Sequence, residues 1–155
     1  MKFFIRRTLA LMSIILLGKL CNAQEKLFIN PDSLPPISKS YTQAVKVTGG
    51  STIYIAGQAS VNSKKELIGK GDFDAQVTHT LENLRTVLSA AKATPADLVK
   101  INIYVVDLNV DKLTILRSHL KDFIGPNPPV STLLGVQALF NKDAMIEIEG
   151  IAVVK

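Results

Sequence analysis

The apolar residues change period sharply on either side of Thr94-Pro95. Val77, Leu81, Leu84 and Leu88 recur at steps of four, three and four residues, so they share one face of a helix. Thr94-Pro95 interrupts the run. Ile101, Ile103 and Val105 then alternate with Asn102, Tyr104 and Val106, the period of a strand with one face on a core. Neither stripe can be buried alone, so the helix must pack on a sheet that contains the strand.

The first helix is expected from Asp72 or Phe73 to about Ala93, with Asp72 and Asp74 at its positive N-terminal end. The strand is expected over Leu98 to Leu108. A second helix fits Asp111 to Ile124, with Leu113, Leu116, Leu120 and Phe123 as its stripe and Gly125-Pro126 as its stop. Further strands are expected over Thr42 to Thr48, Ser51 to Ser60, Ser131 to Leu139 and Met145 to Val154. Residues 24–40 hold Pro31, Pro35 and Pro36 and read as an irregular lead-in; Asn62 to Gly71 reads as a polar loop. The order is β-β-α-β-α-β-β. It predicts an α+β fold, a mixed sheet with two helices on one face. The other face carries Tyr104 and Val106, and self-association would cover it.

Charge divides the chain. The whole sequence carries a formal +5, but residues 1–23 hold Lys2, Arg6, Arg7 and Lys19 and no acid. The remaining residues balance 14 bases against 13 acids, a net +1, which argues against a nucleic-acid partner. Lys2, Arg6 and Arg7, the apolar run Leu9 to Gly18, and Cys21-Asn22-Ala23 have the three-part layout of a secretory signal cleaved before Gln24. The apolar run is too short for a membrane span of about 20 residues, so no stable membrane insertion is expected after cleavage. This reading gives residues 1–23 as a signal peptide, residues 24–155 as one domain, and a location in the periplasm or outside the cell. Cys21 is the only cysteine, so a disulfide framework and a zinc ribbon are excluded, and the mature chain would have no thiol.

No phosphate-binding glycine loop, nucleophile elbow or zinc-binding helix motif occurs. His79 and His119 fall at polar helix positions and read as solvated, and no metal is expected. What remains is a series of segments. They are Ser40-Tyr41-Thr42-Gln43-Ala44-Val45, Ile53-Tyr54-Ile55-Ala56-Gly57-Gln58, Gln76 with Asn83-Leu84, and Val99-Lys100. Tyr104-Val105-Val106-Asp107-Leu108, Pro129-Val130-Ser131-Thr132 and Ile146-Glu147-Ile148-Glu149-Gly150-Ile151-Ala152 complete it. In order and spacing, from about Pro36 to Lys155, they resemble the reactive intermediate deaminase family, RidA or YjgF.

The resemblance implies a chorismate-mutase-like fold and a homotrimer with a small-molecule cleft at each subunit interface. It implies hydrolysis of reactive enamines and imines, such as 2-aminoacrylate, without a cofactor. Tyr41 matches the tyrosine that closes over the ligand, or is simply packed before a strand. Gly57 and Gln58 match a turn whose backbone approaches the ligand. Glu147 matches the acid that positions water, or shares a solvated strand face with Glu149. Ser131 stands where the family has a carboxylate-binding arginine, and a hydroxyl replaces a bidentate charged fork. Arg117, on the second helix, is the candidate substitute, or is a solvated helix residue. Two functions follow: an exported enamine and imine hydrolase, or a small-molecule-binding, protective trimer that has lost the chemistry. The endoribonuclease label of some relatives fits poorly with a near-neutral mature chain.

Overall fold

The computed structural model describes residues 24–34 and 41–155. The expected signal segment lies outside the described residues. The elements are β1 (Glu25–Ile29), β2 (Ala44–Thr48), β3 (Ser51–Ala59), α1 (Phe73–Ala90), a 3-10 turn (Pro95–Asp97) and β4 (Leu98–Val106). α2 (Val110–Ile124), β5 (Val130–Val136) and β6 (Ile146–Val154) follow.

The main sheet has four strands in the order β3-β6-β4-β5. β6 pairs antiparallel with both β3 and β4, while β4 and β5 run parallel. A parallel pair needs a crossover, and α2 supplies it. Ile101, Ile103 and Val105 of β4 and Ile146 and Ile148 of β6 are all at most 1% exposed and meet the helix stripes in one core. Val77, Leu81, Leu84 and Leu88 come from α1, and Leu116, Leu120 and Phe123 from α2. The α+β class and the mixed sheet are thus as expected.

Local chemistry sets the helix ends. Asp72 caps α1 by accepting from the Ala75 amide at 3.1 Å, and Asn109 caps α2 from the Lys112 amide at 2.9 Å. α1 stops at Ala90, three residues before the expected end. Lys92 adopts φ 56° and the Ala93 amide returns to the Leu88 carbonyl at 2.8 Å, which closes the last turn. α2 ends at Ile124, where Gly125 takes φ 70°.

Three expectations need correction. The lead-in is not all irregular: β1 pairs antiparallel with β2, Phe28 opposite Val45. Glu-Lys-Leu-Phe-Ile has no polar alternation to read, and Leu27 is 53% exposed; its partner strand makes it a strand. Gln24 Nε2 also donates to the Val153 carbonyl at 2.5 Å, and Lys26 Nζ to the Ala96 carbonyl at 3.0 Å. β5 ends at Val136 rather than Leu139, because β4, the strand it runs beside, ends opposite it at Val106. Asp107 there takes φ 50° and turns the chain away. Finally, His119 is not simply solvated. Its Nε2 lies 2.8 Å from Asp74 Oδ1 and ties α2 to the first turn of α1.

Candidate functional site

Tyr41 has no element of its own, so its neighbour holds it. The Thr42 amide donates to the Pro129 carbonyl at 3.1 Å, and the buried Thr42 hydroxyl donates to the Pro128 carbonyl at 2.7 Å. These bonds set Tyr41 beside the start of β5. Ser131 there is in register with Ile101, so it faces the helix side of the sheet. Arg117 sits one residue after the buried Leu116 on α2. Tyr41, Arg117 and Ser131 line a single groove of about 240 Å3. Its walls are aliphatic: Ile103, Leu113, Leu116, Leu120 and Leu133.

Gly57, Gln58 and Glu147 meet elsewhere. The pairing of β3 with β6 shifts between Ile55 and Gln58, which leaves a bulge at Ala56-Gly57. The Glu147 carboxyl folds over that bulge. A β-carbon at Gly57 would overlap its Oε1 and lie 2.7 Å from its Cδ. Only glycine lets the carboxylate rest against the backbone here. The Gln58 amide nitrogen donates to the Ala56 carbonyl at 3.0 Å, so that side chain folds back along its own strand.

The buried Gln76 fixes where β6 begins. Its Nε2 donates to the Gly69 carbonyl at 3.2 Å and the Asp143 carbonyl at 2.9 Å. Its Oε1 accepts from the Met145 amide at 2.8 Å, two residues before Glu147. Asn83 holds the other strand, donating from Nδ2 to the Ala59 carbonyl at 2.8 Å and the Val61 carbonyl at 2.9 Å.

The six expected site residues therefore form two groups within one chain. Glu147 is in register with Tyr104 and lies on the sheet face away from the helices, opposite to Ser131. The outer face also joins Tyr104 and Glu149 to Asn102, a cluster that the sequence alone did not bring together. Asn102 Nδ2 donates to Glu149 Oε1 at 2.7 Å, and the Tyr104 hydroxyl donates to the same oxygen at 3.1 Å. The hydrogen bond to this carboxylate, with burial and its negative charge, holds the Tyr104 phenol above its ordinary pKa. The pair was legible as alternation, since residues two apart on adjoining strands share a face. The groove walls were read as core stripe only. Among the described residues no cluster of His, Cys, Asp and Glu is built to hold a metal ion.

The sequence profile of the endoribonuclease L-PSP family matches residues 32–154. The chain belongs to this family, the RidA (YjgF) family. It is 32% identical over 130 residues to a RutC family protein of Pyrococcus abyssi, covering 84% of this chain and 97% of that one. A 2-iminobutanoate/2-iminopropanoate deaminase of Salmonella typhimurium is 33% identical over 127 residues, 81% of this chain and 95% of that one. A Rid-family protein of unknown function from Yersinia pestis superposes with TM-score 0.79 at 37% identity, over 83% of this chain and 98% of that structure. RidA of a Psychrobacter species superposes with TM-score 0.60 at 29% identity, over 83% and 99% of the two chains. The chain thus has the chorismate-mutase-like α+β fold of the RidA family. Among the described residues no helix is long and apolar enough to cross a membrane.

Proposed function

We propose that this RidA-family chain hydrolyses reactive 2-imino acids and their enamine tautomers to 2-oxo acids and ammonia. The observation that carries the reading is the Glu147 carboxylate laid against the Gly57 backbone. A strand bulge leaves backbone groups outside the ladder and able to bind a small polar ligand. A carboxylate beside them can take a proton from water. Similarity to the 2-iminobutanoate/2-iminopropanoate deaminase of Salmonella typhimurium supports the same chemistry.

In this reading the Glu147 carboxylate removes a proton from water as its oxygen bonds to the iminium carbon. The C=N π electrons move onto nitrogen. Glu147 then returns the proton to nitrogen, the C–N bond breaks, and ammonia leaves as the carbonyl forms. The hydroxyl proton passes to the ammonia as it departs, so nitrogen is released as ammonium and the positive charge of the iminium leaves with it. No cofactor enters any step. Tyr41, Arg117 and Ser131 bind the substrate from the other sheet face. The two groups form one cleft when a second copy lays its β3–β6 face over the groove of the first, in a closed trimer. Export, supported by the basic start and the Cys21-Asn22-Ala23 segment, places this activity in the periplasm or outside the cell.

The test generates 2-aminoacrylate in situ and follows its loss with the purified protein, with Glu147→Ala and Ser131→Arg beside it. The expected result is catalysed loss that Glu147→Ala abolishes. A silent wild type that gains activity with Ser131→Arg means that the scaffold persists with another substrate. Silence in all three favours the second reading, a small-molecule-binding trimer, which the lone hydroxyl of Ser131 in place of a charged fork supports.

A further inference from the structure

Gln24 is the residue that signal cleavage leaves at the head of the exported chain. The fold holds its side chain. Nε2 donates to the Val153 carbonyl at 2.5 Å, and Cγ lies so near Gly50 that a β-carbon there would stand 3.3 Å from it. Its backbone is not committed to the sheet, since the pairing of β1 with β2 begins at Glu25 opposite Thr48. Cleavage before Gln24 therefore creates an α-amine outside the ladder. The same residue carries a half-buried amide whose nitrogen already has a partner.

An α-amine has an ordinary pKa of about 8, so part of it is uncharged and nucleophilic near neutral pH. An amine and an amide in one residue react as an intramolecular pair, without the entropy cost of an encounter. The Val153 carbonyl bears on the departure of the amide nitrogen. That nitrogen leaves carrying an extra proton, and a carbonyl that already accepts from it holds the protonated form more strongly.

We infer that Gln24 is a modification site, where the exported chain closes its own terminus to pyroglutamate and so removes the free amine through which an aminopeptidase would enter β1. The α-nitrogen bonds to Cδ, and the C=O π electrons move onto Oε1. A proton passes from the α-nitrogen to Nε2. The carbonyl then re-forms, the Cδ–Nε2 bond breaks, and ammonia leaves. No oxidant, reductant or co-reactant enters, and the product is a neutral lactam. Entry into β1 would matter because Lys26 ties this strand to the turn before β4, donating to the Ala96 carbonyl at 3.0 Å and pairing with Asp97 at 3.5 Å. The inference rests on the export reading and is independent of the deaminase reading.

The experiment expresses the full chain in a Gram-negative host and reads the exported protein by intact mass and by tandem mass spectrometry of its first peptide. The expected terminus is Gln24 lighter by one ammonia. Gln24→Ala, cut at the same place, should keep its amine and be trimmed into β1 by an added aminopeptidase that leaves the wild type whole. Equal resistance of the two chains would overturn the protective role. A chain cut before Gln24 that keeps its ammonia would overturn the inference and leave export in place. A chain that keeps residues 1–23, or is cut elsewhere, would overturn both. Imine turnover is measured on the same preparation, and its absence would remove the deaminase reading and leave the lactam in place. For the part played by the fold, a chain beginning at Gln24 is released from a fusion partner and held in native buffer and in urea. Ring closure should be about tenfold faster in native buffer, the effect of one strengthened hydrogen bond. Closure at least as fast in urea would overturn the role of the Val153 carbonyl.

Discussion

The Glu147 carboxyl occupies the space that a β-carbon on Gly57 would need. The two residues belong to β3 and β6, and the bulge between Ile55 and Gln58 brings them into contact. The backbone at Gly57 has no left-handed φ, so the glycine serves close approach and not a turn. Under the proposed function, this separates catalysis from folding at one position.

Gly57→Ala should therefore fold and fail as a catalyst. The methyl meets the mobile end of a glutamate, which can swing aside, so the melting temperature should change little. The carboxylate is displaced by an ångström or more, and imine hydrolysis should fall by about a hundredfold. Steady-state kinetics beside thermal melting checks the split. Unchanged turnover in a well-folded variant would remove Glu147 from the chemistry.

Gln76→Ala should do the reverse. Gln76 is fully buried and makes three hydrogen bonds, two that join α1 to the segment before β6 and one to the Gly69 carbonyl in the loop before α1. Its loss strands the Met145 amide and two carbonyls, each costing about 1–3 kcal/mol where water cannot reach. Denaturant unfolding should show a loss of about 3 kcal/mol or more.

Asp97 gives acid sensitivity to the turn before β4. Burial raises its pKa, but bonds from the Thr94 amide and hydroxyl, both at 2.9 Å, and the charge of Lys26 outweigh burial and hold it below 3.8. The unfolded chain therefore takes up this proton first. The stabilisation is present above pH 3.8 and is lost as pH falls through the folded-state value. Asp97→Ala should cost about 1 kcal/mol at pH 7 and less in stronger acid, read from melting curves across that range.

Tyr104 gives an alkaline counterpart. Its hydrogen bond to Glu149 raises the phenol above 10.0, so the folded state holds this proton more tightly than the unfolded chain. That contribution is present below pH 10.0 and disappears as pH rises through the folded-state value. The phenolate absorbance lost in Tyr104→Phe should titrate above 10.0, and Glu149→Gln should move it back down. A Tyr104 midpoint unaffected by Glu149→Gln would contradict the assignment.

Periodicity alone made both helices, the inward face of β4 and the α+β class legible. The helix stripes and the Ile101, Ile103, Val105 alternation are local signals, and burial imposes them at fixed spacing. The start of α1 was also local, since Asp72 bonds a residue only three away. β1 was not legible, because its strand conformation depends on β2 across the intervening prolines. The end of β5 was not legible either, because an edge strand stops where its neighbour stops.

The same division runs through the site. The sequence determined which side chains are available: Tyr41, Gly57, Gln58, Arg117, Ser131 and Glu147. Only the tertiary structure decided how they group. The parallel pairing of β5 with β4 puts Ser131 on the helix face, where Arg117 and Tyr41 join it. The antiparallel pairing of β6 puts Glu147 on the outer face, over Gly57. Register is set by pairing between strands far apart in sequence, and a shift of one residue would exchange the two faces.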